Sequence, residues 1–192
     1  MKQEIEIEFK NMVTEKEFHT LCSAFSIENF QTQVNHYFET DTFSLKQAGS
    51  ALRIRHKNGK YTLTLKQPAT VGLLETHQTV TEVEANKMME TNTIVEGAVR
   101  NQLQTLEIPV SSLTYMGSLT TERAEIQYED GTLVFDHSFY YDENDYELEY
   151  EVADEQTGKQ NFHALLTTHN IPVRHTDNKV KRFFLAKQKK AR

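Results

Sequence analysis

Two stretches decide how this chain is read: Glu4-Ile5-Glu6-Ile7-Glu8-Phe9-Lys10 near one end, and Glu147-Leu148-Glu149-Tyr150-Glu151-Val152 towards the other. Both alternate strictly between acidic and apolar residues. A β-strand throws successive side chains to opposite faces, so each stretch predicts one apolar face and one face of three carboxylates. The apolar sets are Ile5, Ile7 and Phe9 in the first, and Leu148, Tyr150 and Val152 in the second. Like charges at neighbouring positions on one face repel, so a counter-charge is expected opposite them. A divalent cation, a set of Arg and Lys side chains, or solvent would each serve.

The remaining strands carry the same division. In Ala51–Lys57, Leu52 and Ile54 oppose Arg53, Arg55 and Lys57; in Lys60–Gln67, Tyr61, Leu63 and Leu65 oppose Thr62, Thr64 and Lys66. Asn58-Gly59 joins these two as a type I′ hairpin. Further strands are expected at Lys2–Lys10, Gln33–Asp41, Leu73–Thr81, Thr120–Tyr128, Thr132–Asp136 and Tyr146–Ala153, with Glu129-Asp130-Gly131 as a second hairpin turn. A sheet with one wet face explains any single strand. The signs argue for more: acids gather on the first and last long strands, and bases on the hairpin between.

Helices punctuate this pattern. Thr14 and Glu17 have capping-box spacing, followed by a stripe of Phe18, Leu21, Cys22 and Phe25. Glu82–Glu90 and Glu96–Leu106 read as helices, as do the stripes Phe162, Leu165, Leu166, His169 and Val180, Phe183, Phe184. Lys187–Arg192 reads as a basic, frayed and solvated end. Asp142-Glu143-Asn144-Asp145 mimics the start of a calcium loop, but Tyr146 and Glu147 follow where a ligand and a turn glycine are required, so it reads as a turn.

Composition narrows the classes. A chain of 192 residues with 26% charged and 10% aromatic residues is expected to form one domain across positions 1–192 with a sizeable core. A net charge of −7 argues against a scaffold that grips nucleic-acid phosphates over its whole surface. The single Cys22 excludes an intramolecular disulfide and a cysteine zinc site, and fits a reducing compartment. No targeting or membrane-spanning stretch is read, so a soluble, cytoplasmic protein is expected, with no nucleic-acid or membrane partner. The eight His residues show no ligand spacing, and glycine-rich phosphate loops are absent.

Taken together the motifs resemble those of the CYTH, or triphosphate tunnel metalloenzyme, superfamily. Glu6-Ile7-Glu8-Phe9-Lys10 matches its ExExK signature. In the family's order follow Asn35-His36-Tyr37-Phe38-Glu39-Thr40, Leu52-Arg53-Ile54-Arg55, Leu63-Thr64-Leu65-Lys66, Arg123, Phe135-Asp136, Glu147-Leu148-Glu149 and Asn178-Lys179-Val180-Lys181-Arg182. The resemblance covers nearly the whole chain and is greatest to the small bacillus-type single-domain CYTH proteins. It implies an α+β fold: an eight-stranded antiparallel β-barrel, or tunnel, with a charged interior and flanking helices.

The resemblance also implies a metal-dependent hydrolase of inorganic triphosphate or small organic triphosphates. Alternatives are a class IV-type adenylate cyclase or a non-catalytic polyphosphate- or nucleotide-binding module. Glu6, Glu8, Lys10 and Lys66 would be catalytic. Arg53, Arg55, Arg123, Lys179 and Arg182 would bind phosphate, and Glu6, Glu8, Asp136, Glu147 and Glu149 would hold Mg²⁺ or Mn²⁺. Glu75 is a possible further site residue, whereas Glu4 and Glu151 fall outside the signature and read as tunnel-mouth or solvated. Leu73 and Leu74 stand where the family has a base, and Thr121 where it often has Lys. Asn35 and Tyr37 read as structural. No aromatic pair or Asn/Gln cluster is placed to read a base; Tyr37, Phe38 and Tyr140 are the residues from which a base platform could be built.

Overall fold

The computed structural model describes residues 2–190. Eight strands pair in the order β1-β5-β4-β3-β2-β6-β7-β8 and close into a barrel. The strands are β1 (Lys2–Val13), β2 (Gln31–Thr40), β3 (Ala51–Lys57), β4 (Lys60–Pro68), β5 (Leu73–Val80), β6 (Leu113–Tyr128), β7 (Gly131–Tyr140) and β8 (Glu143–Val152). The helices are α1 (Glu15–Ala24), the short α2 (Ser44–Gln47), α3 (Glu82–Thr91), α4 (Ala98–Thr105), α5 (Glu155–Thr168) and α6 (Lys179–Lys190). Packing divides the chain into two compact units, Met1–Ile5 with Gln33–Ser118 and Glu6–Thr32 with Leu119–Arg192.

In the first unit the apolar faces of β3 and β4 (Leu52, Ile54, Leu63, Leu65) pack against Ala85 and Met88 of α3 and Val99 and Leu103 of α4. The Asn58-Gly59 turn holds both residues at positive φ, 52° and 70°, as a type I′ turn demands. It pins a register in which Arg53 pairs with Thr64, Arg55 with Thr62 and Ala51 with Lys66. In the second unit Phe18 and Leu21 of α1 and Phe162, Leu165 and Leu166 of α5 cover Phe135, Leu148 and Tyr150. Thr14 begins α1 with the reciprocal capping box read from the sequence. Helices therefore cover the apolar outer faces, and the charged faces line the barrel interior.

The structure departs from several expectations. Ile5 is 53% exposed, so the apolar face of β1 is buried only towards Phe9 and Val13. Strand β6 runs back to Leu113, well before the expected start at Thr120. Strand β8 begins at Glu143, leaving only Tyr141-Asp142 for the turn, with Tyr141 at φ 54°. Helix α2 carries no sequence stripe: the buried Glu39 carboxylate accepts the backbone N–H groups of Leu45 and Lys46 and anchors its start. The tail is helical to Lys190 because Phe183 and Ala186 are buried and Lys189 pairs with Glu143; Ala191 and Arg192 lie outside the described residues.

Replacing Ile54 by Asp would place a carboxylate against Leu52, Leu63 and α4, at a cost of roughly 4 kcal/mol or more. Thermal unfolding of Ile54→Asp should lose its cooperative transition, while Arg53→Ala, on the opposite face, keeps it. Equal behaviour of the two variants would invert the face assignment.

Candidate charged site of the barrel interior

On the first unit's charged face, Arg53, Arg55, Lys66, Glu75 and His77 project from β3, β4 and β5. Lys66 stands directly across from Glu75, its Nζ 2.6 Å from Oε1. Arg53 Nη2 lies 3.8 Å from the same oxygen, and Arg53 Nε is buried with no hydrogen-bond partner. Arg55 Nε donates to Asn35 Oδ1 at 3.0 Å, which fixes its fork and gives Asn35 its structural role. Burial pushes the Glu75 carboxyl up, but Arg53 and Lys66 outweigh it and bring its pKa down to about 2.

His77 was missed by sequence reasoning. Its Nε2 lies 3.0 Å from both Glu4 Oε1 and Glu75 Oε2, and its Nδ1 lies 3.0 Å from Thr64 Oγ1. Among the described residues, Glu4, Glu75 and His77 are the one group of three whose donor atoms lie within 4.8 Å of one another. The available signal was register: His77 follows Glu75 by two on the same face and pairs with Thr64. Glu4 thereby joins the charged face rather than lying free in solvent.

The second unit holds most of the expected acids. Asp136 and Glu147 are cross-strand partners, as are Arg123 and Asp136, and Lys10 and Glu149. Lys179, first residue of α6, reaches in to lie 2.7 Å from both Asp136 Oδ2 and Glu147 Oε2, and also touches Glu149. Arg182, one turn on, pairs with Asp145 at 2.8 Å and Glu147 at 2.6 Å. Glu8 pairs with Lys10 at 2.6 Å, and Glu6 lies near enough to act on Glu151.

Arg123, expected to bind phosphate, has most of its donors engaged by carboxylates. Its Nε and Nη2 are taken by a bidentate bond to Asp136, and Nη2 also donates to Glu149 at 2.6 Å. Only Nη1 is left without a close partner, 3.8 Å from Glu151 and 4.0 Å from Glu125. These bonds neutralise Asp136 and Glu149.

Burial pushes the Asp136 and Glu149 carboxyls up, yet both sit below the usual range. Arg123 and Lys179 hold Asp136 down; Lys179, Arg123 and Lys10 hold Glu149 down. Glu151 goes the other way: burial, with the charges of Glu149, Glu6 and Glu8, outweighs Arg123 and lifts its pKa to about 7. Crowding also leaves Glu147 Oε1 buried with no hydrogen-bond partner, although Oε2 is doubly paired. The orphaned anionic oxygen of Glu147 suits a hard divalent cation, but among the described residues no three of the expected ligands Glu6, Glu8, Asp136, Glu147 and Glu149 have donor atoms within 4.8 Å of one another.

The aromatic residues do not form a base platform. Phe38 is in the apolar core, Tyr37 is buried, and the buried Tyr140 bonds Asp145 through its hydroxyl. Among the described residues no helix is long and apolar enough to cross a membrane.

The CYTH domain family matches residues 4–184. A Bacillus subtilis (strain 168) protein named "Putative triphosphatase YjbK" is 51% identical over 191 residues, covering 98% of this chain and 99% of that one. The crystal structure described as a "putative adenylate cyclase" from Bacillus halodurans is 46% identical, covers 96% of this chain and 100% of its own, and superposes with a TM-score of 0.93. The Hippeastrum protein HpAC1 shares the fold at 21% identity, with a TM-score of 0.78 over 95% of this chain and 96% of its own. Ordered motifs, closed barrel and charged interior agree with these matches: the chain is a member of the CYTH domain family.

Proposed function

We propose that the chain, as one CYTH domain over residues 1–192, is a cytoplasmic, divalent-metal-dependent triphosphatase acting on inorganic triphosphate or small organic triphosphates. The observation that carries this reading is that the interior face of each unit holds an unfilled polar valence. Arg53 Nε is a buried donor with no acceptor, and Glu147 Oε1 a buried anionic acceptor with no donor. A phosphate oxygen suits the first and a hard cation the second. The relationship to the protein named as a triphosphatase supports the same reading.

In this reading Arg53 and Arg55 offer planar forks to phosphate oxygens, and Lys66, Lys179 and Arg182 add point and fork charges. Glu6, Glu8, Asp136, Glu147 and Glu149 would hold Mg²⁺ or Mn²⁺, with Glu75 holding Lys66 in place. The cation supplies charge neutralisation at the phosphoryl oxygens and orientation of water. Lys10 holds Glu8 at 2.6 Å and so fixes its carboxylate. Positioning and electrostatics carry phosphoryl transfer, and these residues provide both.

Purified protein with Mg²⁺ or Mn²⁺ should release phosphate from inorganic triphosphate at least as fast as from ATP, with little preference among nucleotides. Arg53→Ala should weaken triphosphate binding by roughly 1.5–3 kcal/mol. Cyclic AMP and pyrophosphate from ATP would favour the cyclase activity named for the Bacillus halodurans relative.

Glu8→Gln should cut metal-dependent turnover by roughly 100-fold or more, since several kcal/mol of charge stabilisation depend on the cation. Its metal-free unfolding temperature should hold. Wild-type turnover in Glu8→Gln would remove Glu8 from the site.

Glu151 gives a pH test. Its folded pKa, about 7, lies above the ordinary 4.5, so the folded protein binds the extra proton between these values. Stability from this group is therefore present below pH 4.5 and is lost as pH rises to about 7. Glu151→Gln should raise metal-free stability at pH 8 by about 1 kcal/mol, a figure discounted for solvent screening of a partly exposed carboxylate. Its melting temperature should depend less on pH between 4.5 and 7 than that of wild type, and parallel profiles would reject the crowding of acids.

A further inference from the structure

We infer that Asn11 and Arg174 are positioning residues for the reaction: they clamp the segment between α5 and α6 onto β1 and so hold Lys179 among the carboxylates. The inference rests on the reading above that this carboxylate cluster belongs to the catalytic centre.

Asn11 breaks the alternation of β1. It shares the outward face with Phe9 and Val13, where an apolar residue is expected, and is only 1% exposed. A buried amide must find partners, and all of Asn11's lie on backbone. Oδ1 accepts the N–H of Arg174 at 2.7 Å, while Nδ2 donates to the carbonyls of Pro172 at 3.1 Å and Met12 at 3.0 Å. Bonding residues 172 and 174 together, the side chain acts as a neighbouring strand would. The next backbone N–H, of Met12, donates to Thr176 Oγ1 at 2.9 Å.

Arg174 closes the clamp from the other side. Nη1 donates to the Met12 carbonyl at 3.0 Å, and the guanidinium forms a bidentate pair with Glu17 at 2.8 and 2.9 Å. Glu17 is the same carboxylate that caps α1 through the N–H of Thr14 at 2.8 Å. Behind the clamp Ile171 is buried and its N–H donates to the Leu166 carbonyl. Ahead of it Asn178 Oδ1 accepts the Lys181 N–H at 2.9 Å and starts α6. Lys179 follows directly. Its ammonium must stay in reach of three carboxylates at once, and a helix end free to shift would not keep it there.

The test is a double-mutant cycle on triphosphate hydrolysis with wild type, Asn11→Ala, Lys179→Ala and the double variant, and with Arg174→Ala as a second probe should Asn11→Ala fail to fold. Asn11→Ala should lower kcat/KM about 10- to 100-fold, the effect of misplacing a charged group by about an ångström. In the Lys179→Ala background the same change should cost less than about twofold. A purely structural role would cost the same in both backgrounds and would overturn the inference. Hydrogen exchange on the same variants reads the clamp without turnover: the Arg174, Lys181 and Arg182 amides should exchange faster while α5 is unchanged. Faster exchange in a protein whose wild type hydrolyses no triphosphate would uphold the clamp and reject the function; unchanged exchange would reject the clamp.

Discussion

Everything in this molecule depends on how buried charge is neutralised. The interior face carries carboxylates and cations removed from solvent, and an isolated charge there would cost several kcal/mol. Glu75, 4% exposed, is tolerable only because Lys66 and Arg53 stand against it. Asp136 and Glu149 are tolerable because Arg123 bridges them and Lys179 joins them. Strand register delivers the first partners, since Lys66 and Glu75, Arg123 and Asp136, and Lys10 and Glu149 are cross-strand neighbours. Lys179 and Arg182 come from α6 rather than from the sheet.

Much of the fold was legible because alternation has period two and is hard to mistake over several strands. The Thr14 capping box, the Asn58-Gly59 turn and the core faces of β3 and β4 appear as the residues predict. The missed features are those where a distant side chain decides local structure. Helix α2 exists because Glu39 caps it from β2. The exposure of Ile5 reflects which end of a strand the helices reach, a matter no strand pattern records.

The interior site was legible in its residue types and less so in their pairings. The sequence names Arg123 as a base on the charged face, but only register reveals that Asp136 and Glu149 take most of its donors. His77 has no motif of its own and acquires partners through Thr64 and Glu75 on adjoining positions. Asn11 carried a readable signal, a polar residue on an apolar face, but its partners at Pro172 and Arg174 lie more than 160 residues away in sequence.

The pairing of these charges bears on how a ligand would enter. In the function proposed above, a phosphate chain at Lys66 would compete with Glu75, and a cation at Asp136 or Glu147 would compete with the Lys179 ammonium. Either ligand alone would strand one half of an ion pair. A ligand that took the place of the lost partner within either unit would exchange an internal pair for an external one of like charge, so desolvation would not be suffered twice. The charge inventory favours this exchange. Arg53, Arg55 and Lys66 outnumber Glu4 and Glu75 on the interior face of the first unit, while Glu6, Glu8, Asp136, Glu147, Glu149 and Glu151 outnumber Lys10, Arg123, Lys179 and Arg182 in the second. An excess of positive charge on the first unit's interior face suits an anion, and an excess of negative charge on the second's suits a cation, each by the ordinary rule that an opposite charge favours a buried ionised group.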